Sequence, residues 1–312
     1  KEKVGLRNAI LTPCVGDWAS FEVRIAAKVY NDPVLQEDLR QGVDLHCMVT
    51  ATSHPKALAE KMGYEELRSI YLDHNHPRHS EVNKWRKGMK AVVFGIFYFA
   101  SAMKVAEVLG LQDYEGQQVI DRICNRYKGI GQYRADIERR FITADTEHWS
   151  KGSVARMDTL QSDLTGFERR WEFEKSVAVA LWGLGQTNKI KTGLTGTVTR
   201  TAAKGPQTID NAIVSACLGS AIAIQAAVSR QAGNMPVQAT GSSINKMLQA
   251  RIWNELRVPS LNIHDENFVP HHPNYDPETF SALVDSFVDS IQETVPMLEY
   301  DYSTQCTRWS DK

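Results

Sequence analysis

Cysteine is scarce in this sequence: five cysteines are spread from residue 14 to residue 306, and no two form a CxxC pair. An odd number of widely spaced cysteines does not indicate a disulfide framework, and the lack of CxxC argues against a zinc knuckle. We therefore expect a reducing compartment, the cytoplasm. Long hydrophobic runs are also rare. The longest, residues 212–228, contains Ser215, Ser220 and Gln225, which predicts a buried helix and no membrane span.

An excess of charge is missing as well, since 36 basic residues stand against 37 acidic ones and the net charge is −1. This balance does not indicate a chain that is basic throughout. Basic residues are nevertheless clustered in three segments, at Lys84, Arg86, Lys87 and Lys90, at Arg134, Arg139 and Arg140, and at Lys189, Lys191, Arg200 and Lys204. These segments could line a groove or could serve solubility alone.

The pattern of elements predicts an α+β fold. A chain of 312 residues exceeds the usual size of a single core, which favours two subdomains. Residues 22–146 predict nearly continuous helices, and further helices are expected at 168–183, 210–230, 241–256 and 277–293. Residues 185–208 predict a loop or hairpin. Leu261 and Ile263 alternate with polar residues, and Phe268 and Val269 follow His264, Asp265 and Glu266, which predicts a short hairpin with the charged triplet at its turn.

One predicted helix carries a stripe of four residues at a spacing of four: Arg86, Lys90, Phe94 and Tyr98. At 3.6 residues per turn, such a series lies along one slowly drifting face. Two cations followed by two aromatic rings could grip a triphosphate and stack against a sugar and base. An ordinary solvated or core-facing helix also shows this periodicity, so both interpretations stay open for the stripe alone.

Two aspartates occupy positions where a metal site could form. Asp17 follows a predicted strand at residues 9–11 and precedes a helix expected to open near Glu22, and Asp265 lies at the predicted hairpin turn. Two carboxylates at adjacent strand ends could hold two divalent cations about 4 Å apart, the arrangement that catalyses phosphoryl transfer. Either aspartate alone could equally be a turn or cap residue.

Taken together, these segments resemble the family A DNA polymerases, the DNA polymerase I type. GDWASFEVRIAA resembles motif A, RKGMKAVVFGIFYF resembles motif B, and LNIHDENFV resembles motif C, in the family's order along the chain. DLHCMVTA and RQAGNMPVQATGSSI resemble two further conserved segments of the family, and LRNAILTP resembles the segment upstream of motif A. The resemblance implies a palm with a small antiparallel sheet and a mostly helical fingers subdomain.

The resemblance also implies roles for individual residues. Asp17 and Asp265, with the Trp18 carbonyl, would bind two Mg²⁺ ions, for which Mn²⁺ can substitute, and Glu266 would support that site. The nucleotide-binding set implied by the family consists of Arg86, Lys90, Phe94, Tyr98, Glu22 and His46, with Lys90 also serving as a proton donor. The DNA-binding set consists of Arg230, Asn234, Gln238 and His264. Primer-template DNA and a dNTP would be the substrates.

The chain departs from the family pattern at several positions. Phe99 stands where the family usually has Gly, Ala239 replaces the Gly of the Q-G-T segment, and Trp18 replaces the motif A Tyr. The segment between Tyr98 and Asp265 is longer than the family norm, and we expect the surplus within residues 145–200.

The resemblance implies a subdomain division. Residues 1–30 and 205–312 would form the palm, and residues 31–204 would form the fingers. Family members carry a thumb, and often an exonuclease, before motif A. We therefore expect a second polypeptide or an upstream segment to supply the thumb, as in a split polymerase of viral origin, which would act in the host cytoplasm.

Two other functions stay open at this stage. The first is a phage-type single-subunit RNA polymerase, against which Glu22 and Phe94 argue because in the resembling family both favour deoxyribonucleotides. The second is an inactive DNA-binding or scaffold subunit, which would be expected to lack a metal-binding carboxylate.

Overall fold

The computed structural model describes residues 13–141, 159–192 and 209–308. These residues divide into two compact units. Unit 1 comprises the described parts of Lys1–Leu45, Ser162–Phe167 and Pro236–Lys312, and unit 2 comprises the described parts of His46–Gln161 and Glu168–Met235. The predicted subdomain boundaries, at residues 30 and 204, stay a prediction.

Unit 1 is built on a four-stranded antiparallel sheet. Its strands are β1 (Cys14–Trp18), β4 (Leu261–Ile263), β5 (Glu266–Val269) and β6 (Tyr300–Ser303), in the order β4-β5-β1-β6. Val15 of β1 is opposite Phe268 of β5 and opposite Ser303 of β6. Val15, Phe268 and Cys306 form a small buried cluster, so the sheet's apolar contacts fix the register in which β1 pairs.

Three helices of unit 1 follow from local signals. They are α1 (Phe21–Val29), α2 (Pro33–Arg40) and α12 (Pro277–Ile291). Asp32 and Asp276 each cap a helix by accepting a hydrogen bond from a backbone N–H, and each is followed by a proline at the first helical position. A proline costs little there because that N–H has no intrahelical partner. These caps explain why α2 and α12 begin where they do.

Unit 2 is largely helical. Its helices include α3 (Leu45–Ser53), α4 (Pro55–Ala59), α5 (Tyr64–Leu72), α6 (His79–Phe97), α7 (Ala102–Leu109), α8 (Asp113–Arg126), α9 (Lys128–Phe141) and α10 (Glu172–Thr192). Ser101 caps α7, Gly110 ends it in the left-handed region, and Gln112 and Glu115 form a capping box on α8. A short hairpin of β2 (Thr159–Gln161) and β3 (Glu168–Arg170) precedes α10.

One long helix, α11 (Ile209–Leu256), contains the boundary between the two units at Met235 and Pro236. By length and composition Ala212–Leu256 could cross a membrane, and 33% of its most apolar window is buried within the protein. Core helices of globular proteins pass the same test, and the buried polar side chains of Thr240 and Asn245 are hydrogen-bonded inside unit 1.

The predicted α+β class is confirmed, whereas several predicted boundaries are wrong. Residues 231–240 do not separate two helices, because α11 continues through Pro236. Proline lacks a donor and disfavours a helix interior. Here, however, residues 232–237 are all buried, and packing outweighs local propensity.

Two further boundaries differ from expectation. Helix α10 begins at Glu172 and continues past Gly185 to Thr192, and residues 193–208 lie outside the described residues. A Cβ at Gly185 would overlap the side chain of Leu218, so this glycine permits close helix packing and does not mark a loop. Asp17 lies inside a strand and not at its end, because Trp18 still pairs with Tyr300. The predicted strand at residues 9–11 lies outside the described residues.

Candidate active site

The strand that carries Asp17 lies between two strands that each place a carboxylate beside it. Asp17 of β1 is opposite Glu266 of β5 and opposite Asp301 of β6. Directly opposed residues of an antiparallel pair project from the same face of a sheet. We call Glu266, Asp17 and Asp301 the carboxylate row. Glu266 is buried, Asp17 is half-buried and Asp301 is exposed, so the row runs from the protein interior to solvent.

Asp265 lies in the two-residue loop between β4 and β5, directly before Glu266. Glu266 itself is therefore the first residue of β5 and not a turn residue, which corrects the sequence-based expectation. His264, the first loop residue, has a φ of 59°, in the left-handed region that tight hairpin turns require. His264 and Asp265 are both exposed and line a cavity of about 570 Å³ together with Glu22 of α1 and Gln238 of α11.

Trp18 fixes the end of β1. Its ring stacks on Phe21 with centroids 5.0 Å apart, and it lies 4.7 Å from the ring of Tyr300. Its indole N–H donates to Oδ1 of Asn245 over 2.6 Å. Trp18 is 2% exposed, so the aromatic side chain that replaces the family's usual Tyr is held by packing and by a buried hydrogen bond.

The Tyr300 side chain packs against Trp18 and Gly16 of β1. A Cβ at Gly16 would overlap the Tyr300 phenol, so only glycine fits beneath it. Burial raises the pKa of Tyr300 far above its usual value, and the nearby Cys14 and Asp17 add to the effect. Burial likewise raises the pKa of the Cys14 thiol to about 12, with a smaller contribution from Cys306. Both groups therefore stay protonated and supply no negative charge.

The donor set of unit 1 suits a hard divalent cation. Asp17 and Asp265 offer carboxylate oxygens, and Glu266 and Asp301 extend this set along the carboxylate row. Among the described residues, no three His, Cys, Asp or Glu side chains form a ready-made metal cluster. Mg²⁺ commonly uses one or two carboxylates, waters and substrate phosphates and does not require a complete protein cage. The residues present therefore fit magnesium.

In unit 2, three of the four residues of the predicted stripe, Arg86, Lys90 and Phe94, lie within α6. Lys90 is exposed and Phe94 is half-buried. The ammonium of Lys90 lies 5.9 Å from the centre of the Phe94 ring, and the ring of His46, at the start of α3, lies 6.0 Å from the same ring. The structure thus brings together a cation, an aromatic face and an imidazole from two elements.

Arg86 and Tyr98 lie toward the two ends of the stripe. The half-buried Arg86 guanidinium lies 4.2 Å from the centre of the Tyr71 ring. This contact orients the plane of the guanidinium and its N–H groups. Tyr98 is not within the helix, because α6 ends at Phe97 and Tyr98 is its C-cap residue. The stripe therefore has three helical members and one at the helix end.

The residue after Tyr98 has an unusual conformation. Phe99 has a φ of 60°, which costs a non-glycine residue about 1–2 kcal/mol. Its ring is buried, lies 6.4 Å from Tyr133 in an edge-on arrangement, and is covered by the Arg134 guanidinium at 4.8 Å. Arg134 also donates to the carbonyls of Ile96 and Ala100 at 2.8 and 3.4 Å, and so caps the end of α6.

The predicted DNA-binding residues of α11 recur at a spacing of four. Arg230 is exposed and Asn234 is buried, both in unit 2, whereas Gln238 is exposed in unit 1. Arg230 and Asn234 are about one turn apart and lie on one face of α11 within unit 2.

Sequence reasoning missed Asn245 and Asp301. Neither lies in a recognised motif, and Asp301 falls in a segment expected only to be an extended tail. The alternation of Tyr300, Asp301 and Tyr302 is the one signal that could have indicated a strand there.

Comparison with known proteins connects this geometry to a family. Residues 7–151 match the family model for DNA polymerase family A, a segment that holds Asp17 and the stripe but not Asp265. The chain is 27% identical to DNA polymerase I of Pseudomonas aeruginosa over 133 residues, which are 41% of this chain and 12% of that protein. It is 26% identical to DNA polymerase I of Deinococcus radiodurans over 122 residues, which are 39% of this chain and 11% of that protein.

A solved structure resembles the fold over most of the chain. It is the POL domain of Pol1 from M. smegmatis in complex with a DNA primer-template and dNTP, with a TM-score of 0.56 and 19% identity. The match covers 98% of this chain and 41% of that one. This likeness shows a shared fold that extends beyond the segment matched by the family model.

Proposed function

We propose that the protein is a template-directed DNA polymerase, because residues 7–151 match the family model for DNA polymerase family A. It would join a dNTP to a primer 3′-hydroxyl and release pyrophosphate. The observation that carries the proposal is the pairing of β1, which bears Asp17, with the hairpin that bears Asp265. Two carboxylates that are distant in sequence thereby belong to one small sheet.

The metal-binding residues of the proposal are Asp17, Asp265 and the Trp18 carbonyl. Two bound Mg²⁺ or Mn²⁺ ions would lower the pKa of the primer 3′-hydroxyl and neutralise negative charge on the triphosphate. Glu266, the buried neighbour of Asp17, supports that side of the site. The Asp17 and Asp265 carboxylates would hold the ions and orient these groups.

The nucleotide-binding residues of the proposal are those of α6 and its neighbours. Lys90 and His46 bind the phosphates beside Phe94, and Arg86 adds a planar fork that matches phosphate oxygens. Lys90 holds a proton that can pass to the departing pyrophosphate. Phe94 packs against the deoxyribose. Tyr98 and Glu22 are each assigned a contact with the sugar in this proposal, and Glu22 would exclude a 2′-hydroxyl.

The DNA-binding residues of the proposal are Arg230, Asn234 and Gln238 on α11, which follow the minor groove near the primer terminus, and His264 at the primer end. Such contacts fix the position of a duplex without reading its sequence. The matched segments of the chain cover 12%, 11% and 10% of the length of three DNA polymerases I. A second polypeptide or upstream segment that supplies the thumb and an exonuclease stays part of this proposal.

Primer extension tests the proposal. The native protein that carries this sequence is given a labelled primer-template, Mg²⁺ and either dNTPs or rNTPs, before and after mixing with candidate upstream polypeptides. Asp17→Asn and Asp265→Asn are each expected to reduce extension at least a thousandfold, because each removes a carboxylate from the metal site. Asp289→Asn, an exposed aspartate of α12, is the matched control and should leave extension unchanged.

Each alternative outcome has a distinct meaning. Preferential incorporation of rNTPs would indicate an RNA polymerase. Extension that is unchanged by Asp265→Asn would indicate an inactive subunit within an active assembly. Full extension by this chain alone would contradict the expected need for a second polypeptide.

A further inference from the structure

We propose that Asn245 is a positioning residue that sets the separation between the Asp17 and Asp265 carboxylates. This inference rests on the proposed function, because it concerns the same site. Asn245 lies on α11, lines the cavity of about 570 Å³ and is 4% exposed. Its single amide is bonded to a neighbour of each proposed metal-binding aspartate.

The Asn245 amide oxygen accepts hydrogen bonds from side chains of two strands, β1 and β5. Oδ1 of Asn245 accepts from the Trp18 indole N–H over 2.6 Å and from the Asn267 amide over 3.1 Å. Trp18 follows Asp17 on β1, and Asn267 follows Glu266 on β5. The amide therefore bridges the two strands whose pairing places Asp17 beside Glu266.

The nitrogen of the amide is bonded to the hairpin loop. Nδ2 of Asn245 donates to the carbonyl of His264 over 3.1 Å, and Asn262 donates to the same carbonyl over 2.9 Å. His264 precedes Asp265 and has a left-handed backbone. These two bonds hold the loop in the conformation that presents Asp265.

The orientation of the amide follows from its partners. The Trp18 indole nitrogen can only donate and the His264 carbonyl can only accept, so the amide oxygen must meet the first and the amide nitrogen the second. Trp18 and Asn267 are 2% and 3% exposed. A buried donor left without a partner is costly, so water cannot readily replace Asn245.

Asn245 is hydrogen-bonded to the residues directly beside Asp17 and Asp265, so it constrains both aspartates closely. Adjacent Cα atoms are about 3.8 Å apart, so a shift of Trp18 or His264 is passed to the aspartate beside it. Groups that orient metal ligands typically change metal affinity or activity 10–100-fold when they are removed. Asn245 should therefore affect metal binding and turnover more than nucleotide binding, because the proposed phosphate-binding residues lie on α3 and α6.

The test compares two substitutions of Asn245 with the corresponding substitutions of Gln249. Asn245→Leu removes all three bonds, and Asn245→Asp keeps an acceptor for Trp18 but places an oxygen against the His264 carbonyl. Gln249 lies about one turn further along α11 and donates to the Ser260 carbonyl over 3.4 Å. Gln249→Leu and Gln249→Glu are therefore matched controls for losing a side-chain bond of the same helix.

Three quantities are measured for the native protein and for each variant: the Mn²⁺ affinity by electron paramagnetic resonance, kcat and KM for dNTP, and the thermal midpoint of unfolding. We expect both Asn245 variants to bind Mn²⁺ about 10–100-fold more weakly, with kcat reduced and KM for dNTP changed less than threefold. The Gln249 variants should match the unsubstituted protein in Mn²⁺ affinity, whatever their thermal midpoint.

Unchanged Mn²⁺ affinity in both Asn245 variants would overturn the proposal, as would equal losses in the Gln249 variants. If Asn245→Leu does not fold, Asn245→Asp decides the matter because it preserves the side-chain volume. If the protein proves not to extend primers, the proposed function fails, yet the Mn²⁺ titration still shows whether Asn245 positions the carboxylates.

Discussion

The ring of Phe99 lies against the α-carbon of Gly233, so closely that a Cβ at position 233 would overlap the ring. The Tyr133 hydroxyl donates to the Gly233 carbonyl over 3.1 Å, and the Tyr133 and Phe99 rings meet in an edge-to-face arrangement. The end of α6 is thus attached to α9 and α11 by a buried aromatic contact. This contact compensates for the left-handed backbone of Phe99.

Gly233→Ala should destabilise unit 2. Alanine normally stabilises a helix interior by about 1 kcal/mol relative to glycine, but overpacking a fixed ring costs about 1–3 kcal/mol, so the net free energy of unfolding should fall. Chemical denaturation measures the change. Gly219→Ala, where the added Cβ meets nothing within 4 Å, is the control and should raise stability. In a double-mutant cycle the losses caused by Gly233→Ala and Phe99→Gly should be less than additive, because both substitutions act on the same contact.

Arg134→Met should loosen the end of α6. It removes two hydrogen bonds to helix carbonyls and the cation over the Phe99 ring, which together contribute about 2–4 kcal/mol. Hydrogen exchange at the amides of residues 96–100 should accelerate, since local opening requires less free energy. Arg139→Met, which removes an exposed cation of the same helix, should leave that exchange unchanged. Equal acceleration by both variants would contradict a specific cap.

Lys90→Gln should weaken nucleotide use. A charge-assisted hydrogen bond to phosphate contributes about 1.5–3 kcal/mol, so kcat/KM for dNTP should fall roughly 10–100-fold. Steady-state kinetics with one dNTP checks this. Lys84→Gln is the matched control, because Lys84 is exposed on α6 about 120° around the helix from Lys90. A similar loss in both variants would show only a general need for positive charge.

His54 should make stability depend on pH. Burial lowers the pKa of His54 to about 4, and Lys56 adds to the effect. In the unfolded chain the His54 imidazole has a pKa of about 6.5. The free energy of unfolding therefore has its full value above about pH 6.5 and falls as the pH drops toward 4. The loss should reach about 3 kcal/mol at pH 4.

His54→Phe tests this dependence, because it keeps a ring stacked on Trp85, 5.2 Å away, and removes the titration. Its free energy of unfolding should fall less between pH 7 and pH 4 than that of the unsubstituted protein. His271→Phe, at an exposed position, should retain the full dependence. The same slope in all three proteins would exclude His54 as the cause.

Much of the fold could be predicted from local pattern. The helices between residues 21 and 141, the hairpin around Asp265 and the helix after Asp276 follow from periodicity, caps and turn residues. The continuity of α11 could not be predicted, because the effect of Pro236 depends on what surrounds residues 232–237. Gly185 was equally misleading, since its purpose is contact with Leu218 and local propensity contains no information about that contact.

The sequence by itself determined the stripe, because residues four apart on a helix are neighbours whatever the rest of the chain does. It also indicated Asp17 and Asp265 as separate candidates. Only the tertiary structure decided that Asp17 stands between Glu266 and Asp301, that Asn245 joins Trp18 to the His264 carbonyl, and that Gly233 accommodates Phe99. These relationships depend on strand register and side-chain packing between distant segments, which no local spacing records.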